Sequence, residues 1–356
     1  MNRELSDHDR VFLDQCRSTV NLERYGDFVL RWAQALESYG TPREFPQETR
    51  CREIEVDFYG QSVPVVYVSA PNNAQRRELM ARQKPYVPQE RAEEYFLRLD
   101  LDHCFLCQNV VQGIDASNHS DDVVSNVIFD LGGHYILPNR YPQQYGHSLS
   151  IPKDHDNLTT RVTPVSLPEQ KTTAYYPEHG KTRGKVLTAD YLNAVVEACD
   201  KFHLTAIRNH VLDAMSIPGH DHFHLQLEDA TIESLVARLT TGIGQEQTEF
   251  GSNVYRLRNT PFDTLMISAV AGKDLISTAA PLLEKMERED EIFTLRYQGG
   301  QLLVSPRRQE KVNHQRIQVG GGIPIHVLDT EGPEFIERIK VYVPVKGEFK
   351  WERYFT

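Results

Sequence analysis

The chain has 356 residues, of which 40% are hydrophobic and 25% charged, so it is long enough to bury a large core and has the composition of an ordinary globular protein. Its formal net charge of -11 argues against nucleic-acid binding through a broad basic surface, although a small anionic ligand needs only a local cluster of donors. The charged N-terminus has no apolar signal region, and no stretch approaches the roughly 20 apolar residues that span a bilayer. We therefore expect a cytoplasmic protein that binds neither nucleic acid nor membrane.

Residues 1–100 are predicted to form a helical and hairpin extension. Apolar residues at helical spacing over 11–40 end on Gly40, and this pattern predicts helix. The runs 53–59 and 62–70 flank Gly60 and predict a β-hairpin. The charge-rich segment 72–100 predicts a surface helix and a connector.

Residues 101–230 contain an alternation of strand-like and helical patterns. The runs 123–130, 134–139 and 147–152 predict an antiparallel meander. Segment 160–186 lacks periodicity and contains prolines, so it predicts a long loop. An amphipathic helix over 188–199 is followed by two predicted strands, 203–210 and 219–229.

Residues 231–356 predict a second α+β unit. Helices are expected over 231–242 and 273–289, with a variable stretch between them, and strands over 293–298 and 301–306 flank a Gly-Gly turn. The fold class predicted for the chain is therefore α+β: an antiparallel sheet with packed helices, in two related halves (101–230 and 231–356) after the N-terminal extension.

The segment from His220 to Gln226 carries histidine at every second position. In a strand, His220, His222, His224 and Gln226 share one face, while the intervening apolar side chains Phe223 and Leu225 face the core. A row of imidazoles suits metal ligation or nucleophilic catalysis. Chance surface histidines on an amphipathic strand are the alternative reading.

A second motif precedes the histidines. Residues 139–155, NRYPQQYGHSLSIPKDH, resemble the N-R-x-P, G-H-x-L-x-x-P-x-x-H signature of the histidine triad and galactose-1-phosphate uridylyltransferase superfamily. The resemblance covers about residues 101–230 and is nearest to the larger nucleotidyltransferase and dinucleoside polyphosphate phosphorylase members. It implies a histidine-triad-like, uridylyltransferase-like sheet and a histidine nucleophile that attacks a nucleotide phosphate.

Two registers of the histidine motif remain open. In the transferase branch an asparagine lies eleven residues before the first histidine, and Asn209 stands eleven residues before His220. This spacing favours His220-x-His222-x-His224, with His222 as the nucleophile and His224 beside the phosphate or leaving group. The alternative is His222-x-His224-x-Gln226. In the favoured register His224 replaces the glutamine usual in transferases and phosphorylases, which inclines the chain toward the hydrolases.

The resemblance also implies substrate contacts. Asn139 aligns with a ribose contact and Asn209 and Ser216 with phosphate contacts, and we group Gln226 with them because it shares the histidine face. Asn139 starting a turn and Asn209 capping a strand are the structural alternatives. Arg307 follows Pro306 as in a dipeptide near the phosphates, but a basic run is more often a solvated edge, which we favour. His147 is assigned to the fold signature alone.

Cys104 and Cys107 have the C-x-x-C spacing of half a zinc site. In the zinc-bearing members of the superfamily the other ligands correspond to His155 and His220, which implies a structural Zn²⁺ held by four protein ligands. A reduced, metal-free pair and a redox pair are the alternatives, although no thioredoxin-like βαβ context surrounds it.

The function predicted is a nucleotidyltransferase or phosphorylase that cleaves the phosphoanhydride of a nucleoside polyphosphate or nucleotide sugar through nucleotidyl-His222. A hydrolase that uses water as acceptor is the alternative, followed by a non-catalytic nucleotide-binding protein. The expected partner is a small-molecule nucleotide, and a homodimer is one option for assembly. The base and the acceptor stay open.

Overall fold

The computed structural model describes residues 5–38, 50–58, 61–69, 96–99, 126–139, 142, 144–153, 158–167, 172–183, 187–209, 221–228, 244–258, 263–269, 274–289, 291–311, 318–320, 327–329, 340–344 and 349–355. Within these ranges the α-helices are α1 (Asp7–Cys16), α2 (Leu22–Ser38), α3 (Ala189–Phe202) and α4 (Leu275–Arg288), and a short 3₁₀ helix spans Trp351–Tyr354.

The helices begin where side chains accept the first backbone N–H groups. The Ser6 hydroxyl accepts from Asp9 N–H at 3.1 Å, Thr188 from Tyr191 N–H at 3.1 Å and Asp274 from Ile276 N–H at 3.0 Å. Helix is confirmed over most of 11–38, but it is broken after Cys16. Asn21 starts α2 by accepting the N–H of Arg24, so the apolar periodicity runs across two helices rather than one.

The strands described are β1 (Arg50–Phe58), β2 (Gln61–Ser69), β3 (Phe96–Leu99), β4 (Phe129–Asp130), β5 (His134–Pro138), β6 (Ser148–Pro152), β7 (Leu158–Leu167), β8 (Thr172–Arg183), β9 (Leu204–Asn209), β10 (Phe223–Leu227), β11 (Gly244–Gln247), β12 (Val254–Arg258), β13 (Leu265–Ser268), β14 (Ile292–Gln298), β15 (Gln301–Lys311), β16 (Gln318–Gly320), β17 (Val327–Asp329) and β18 (Lys340–Pro344).

Most of these strands form one antiparallel sheet. Its order is β11-β12-β13-β15-β14-β9-β10-β6-β5-β4, and β18 lies beside the far end of β15. The predicted α+β class is confirmed. The predicted β4-β5-β6 meander is confirmed as well, and so are the strand pairs β9-β10 and β14-β15. The prediction of a variable stretch between residues 242 and 273 was wrong in part, because this segment contains β11, β12 and β13.

The two halves of this sheet follow the same order of elements. In the first, the meander β4-β5-β6 is followed by α3 and by β9 and β10, with β10 against β6. In the second, the meander β11-β12-β13 is followed by α4 and by β14 and β15, with β15 against β13. Strands β9 and β14 pair in the middle and join the halves. That the halves are related copies stays a prediction, as do the domain boundaries at 100 and 230.

The predicted loop over 160–186 was wrong for much of its length. Strands β7 and β8 pair antiparallel across it, with a register shift between Thr160 and Val162, and β3 adds to β7. Threonine, valine and tyrosine favour extended backbone, and proline is tolerated in an edge strand such as β8. The prolines therefore did not mark a loop. The four residues of β3 also replace the end of the helix and connector predicted over 72–100.

The hairpin predicted near Gly60 is confirmed as β1 and β2, which extend into a four-stranded sheet of order β1-β2-β17-β16. The helix predicted over 231–242 lies outside the described residues. Among the residues that the structure does describe, no helix is both long and apolar enough to cross a membrane.

The main core brings helices of the extension together with the histidine strand. Phe28 and Trp32 of α2 belong to the same buried cluster as Phe223 and Leu225 of β10. The Arg24 guanidinium also donates to Glu228, the residue after β10, at 2.8 Å. Helix α2 therefore shares a core and an ion pair with the strand that carries the candidate chemistry.

Candidate active site

Strand β10 has the two faces that its sequence predicts. Phe223, Leu225 and Leu227 are buried in the apolar core, at 0 to 2% exposure. His224 points to the opposite face and is partly exposed, whereas His222, just before the strand, is 1% exposed. The two imidazole centroids are 5.1 Å apart, so both rings can contact one phosphate group.

His147 completes a line of polar side chains on this face. Its Nε2 is 3.1 Å from Nδ1 of His224 and 3.2 Å from Nδ2 of Asn139. Nε2 of His147 therefore lies within hydrogen-bond distance of both side chains, and the tautomers of the two rings decide which atom donates.

The turn that carries His147 is held by backbone and side-chain contacts. The carbonyl of His147 accepts from Asn139 N–H at 2.9 Å and from the Trp32 indole at 3.0 Å. Gly146 precedes it with φ +73°, and a Cβ there would lie 2.9 Å from the Leu227 side chain. Glycine is therefore required for the turn to approach β10 so closely.

The sequence analysis assigned His147 to the fold signature and not to the site. The strand register supplies the missing information, because Leu149 pairs with His224 and His147, two positions earlier and just before β6, lies on the same face. Asn139, predicted as a ribose contact, lies next to His147 in this line.

A buried ionic cluster adjoins the histidines on the other face of the sheet. Arg208 of β9 is 0% exposed, and its Nε and Nη2 donate to the two oxygens of Asp221 at 2.8 and 3.0 Å. Oε1 of Glu287, in the last turn of α4, lies 2.7 Å from Arg208 Nη2. We call Asp221, Arg208 and Glu287 the arginine cluster.

Burial and the neighbouring charges shift the pKa values of two members of the arginine cluster, Arg208 and Glu287. Burial alone would lower the pKa of the Arg208 guanidinium, but the charges of Asp221 and Glu287 outweigh it and raise that pKa. Burial raises the pKa of Glu287, and the nearby Arg208 offsets only part of this increase. Arg208 is therefore cationic at any pH at which the protein is studied.

The remaining predicted contacts are only partly described. Gln226 is buried on the histidine face, where Thr205 is its register partner. Asn209 ends β9 opposite Thr294, and the backbone of Arg307 pairs with Ile292 and with Pro344. Whether the Arg307 side chain is solvated or contacts a phosphate stays a prediction.

The predicted zinc ligands Cys104, Cys107, His155 and His220 lie outside the described residues, as does Ser216. Within the described ranges, no group of three or more His, Cys, Asp or Glu side chains could hold a metal ion. The cysteines described with side chains, Cys16 and Cys199, are buried and free.

Comparison with known proteins finds similar solved structures. Yeast Ap4A phosphorylase Apa2 in complex with AMP is 12% identical, with 82% of this chain and 87% of that chain covered at a TM-score of 0.43. A second structure of that enzyme is 11% identical, with 86% of this chain and 92% of that chain covered at a TM-score of 0.44. Its complex with Ap4A is 12% identical, with 83% and 84% covered at a TM-score of 0.44. No family model and no curated protein matches the chain.

All three are structures of an Ap4A phosphorylase, and similarity at this level assigns no activity to this chain.

Proposed function

We propose that the chain is a nucleotidyltransferase or phosphorylase that cleaves a nucleoside polyphosphate or a nucleotide sugar through a covalent nucleotidyl-His222 intermediate. The observation that carries the proposal is the adjacency of His222 and His224, with the ring of His224 oriented by His147. One imidazole can attack phosphorus while the other, held beside it, serves the phosphate or leaving group.

The reaction divides into two displacements at the α-phosphorus. A ring nitrogen of His222 forms a P–N bond as the P–O bond to the rest of the substrate breaks, and the expelled oxyanion leaves with the remaining phosphate groups. An acceptor oxygen then attacks the same phosphorus, the P–N bond breaks and the imidazole is regenerated. His224 can donate to the oxygen on which negative charge develops.

Two features of the chain bear on the acceptor. Histidine at position 224 in place of glutamine favours water and therefore a hydrolase, whereas a length of 356 residues favours the larger transferases and phosphorylases. We place the transferase or phosphorylase first because simple hydrolases of the superfamily are usually much shorter than 356 residues, and we keep the hydrolase as the second candidate.

The proposal is tested by incubating the protein with dinucleoside polyphosphates, nucleotide sugars and nucleoside triphosphates, with and without inorganic phosphate. Quenching in alkali preserves an acid-labile P–N bond, so intact-mass analysis should show the increment of one nucleotidyl group. A product that requires phosphate selects a phosphorylase, and a nucleoside monophosphate released without phosphate selects a hydrolase. Neither adduct nor turnover with any compound would overturn the enzyme proposal.

We also propose a structural Zn²⁺ bound by Cys104, Cys107, His155 and His220, supported by the C-x-x-C spacing and the resemblance. Elemental analysis of the purified protein should find about one zinc per chain, as a closed four-ligand site requires. Cys104→Ser and Cys107→Ser should lose it, whereas Cys16→Ala, which removes a free buried thiol, should retain it. Full zinc content in both serine variants would refute the assignment.

A further inference from the structure

We propose that the arginine cluster is a positioning unit that fixes the orientation of the His222 imidazole for attack on phosphorus. This inference rests on the proposed function and adds residues to it that have no contact with substrate. The unit acts through Asp221, which immediately precedes His222 and whose carboxylate is held by Arg208.

The sequence of β10 shows that Asp221 is out of pattern. Positions 223, 225 and 227 are apolar, buried and on the core face of the strand, and position 221 continues the same alternation. A carboxylate at that position faces the core, where it needs a cationic partner. Arg208 of β9 is that partner. The pairing of His224 with Ile207 places Arg208 across from the start of β10, diagonal to Asp221.

The geometry leaves Asp221 little freedom. Two parallel N–H···O bonds of 2.8 and 3.0 Å fix both the position and the plane of its carboxylate. The guanidinium is itself held by Glu287 of α4, and the second oxygen of Glu287 accepts the N–H of Leu187 just before α3. The backbone entering His222 is thus tied to two helices and to β9.

Stability is a poor explanation for such an arrangement. Transferring a guanidinium and two carboxylates from water into the protein is costly, and replacing buried ion pairs by apolar side chains often leaves stability unchanged or increases it. A cluster at 0%, 14% and 7% side-chain exposure is better explained by the need for a fixed geometry. Displacing a reacting group by about 1 Å can cost on the order of 10²-fold in rate.

The inference predicts a loss of chemistry without a loss of binding. Asp221→Asn keeps the shape of the side chain but weakens the bidentate pair, and Arg208→Lys keeps the charge but removes the planar fork. In single-turnover reactions at saturating substrate, each variant should form the nucleotidyl adduct about 10- to 100-fold more slowly, with little change in the substrate concentration for half-maximal rate.

The control lies at the other end of the same strand. Glu228→Gln weakens the ion pair with Arg24, which involves the residue directly after β10 but adjoins no histidine of the site. Its adduct should form at the wild-type rate. If adduct formation in Glu228→Gln were slowed as much as in Asp221→Asn, ion pairs at either end of β10 would matter equally, and the proposal would be overturned.

A neutral version of the cluster separates positioning from folding. Arg208→Met, Asp221→Leu and Glu287→Gln together remove every charge, while glutamine keeps an acceptor for Leu187 N–H. Urea unfolding followed by circular dichroism should show a folded protein of at least comparable stability, and adduct formation should still be slow. Wild-type rates in this variant, or its failure to fold, would overturn the positioning role. A wild-type chain without any adduct would overturn the proposed function together with this inference.

Discussion

His222→Ala is expected to eliminate the nucleotidyl adduct and to lower turnover by on the order of 10⁴-fold or more, because removing a nucleophile leaves only binding and electrostatic contributions to the rate. His224→Ala should still form the adduct, but about 10²- to 10⁴-fold more slowly, as expected for a lost general acid. Intact-mass analysis after an alkaline quench measures both effects, and peptide mapping locates the modified histidine.

This pair of variants also decides between the two registers of the motif. In the alternative, His222-x-His224-x-Gln226, the central histidine is His224, and His224→Ala would be the variant without adduct. Burial does not choose between them, since His222 is enclosed and His224 partly exposed. His8→Ala is the control, because that exposed side chain lies on α1 away from the histidine strand, and its adduct should be normal.

The local features of the site follow from the sequence, and its long-range contacts do not. Alternation predicts which side chains of β10 face the core, because the period of a strand is a local property. The contact between His147 and His224 depends on how β6 pairs with β10, and these residues are 77 positions apart. Knowing that both segments are strands does not give their register.

The arginine cluster illustrates the same limit in a different way. A charged residue at position 221 of an otherwise apolar face signals a buried partner, but many arginines in the chain could provide it. Only the pairing of β9 with β10 and the packing of α4 on the sheet bring Arg208 and Glu287 to Asp221. Likewise, composition led to a loop over 160–186, where pairing between β7 and β8 satisfies the backbone despite the prolines.

Trp32→Ala is expected to destabilise the protein by about 3 to 5 kcal/mol, the usual cost of removing a large aromatic side chain from a core. Trp32 is 0% exposed, and its ring lies edge-on to Tyr145 at 6.2 Å between centroids. Urea unfolding followed by far-ultraviolet circular dichroism measures the loss independently of tryptophan fluorescence. Val11→Ala on the neighbouring helix α1, where the side chain is exposed, should change stability by less than about 0.5 kcal/mol.

Trp32→Phe separates the packing of this side chain from its hydrogen bond. The His147 carbonyl loses the indole N–H but keeps the N–H of Asn139 at 2.9 Å, so the lost hydrogen bond should cost only about 1 kcal/mol. The same carbonyl belongs to the residue whose ring orients His224, so a shift of the turn should also slow adduct formation. A phenylalanine variant as unstable as Trp32→Ala would contradict this division. Equal rates in the wild-type and phenylalanine proteins would show that α2 stabilises the turn without influencing the chemistry.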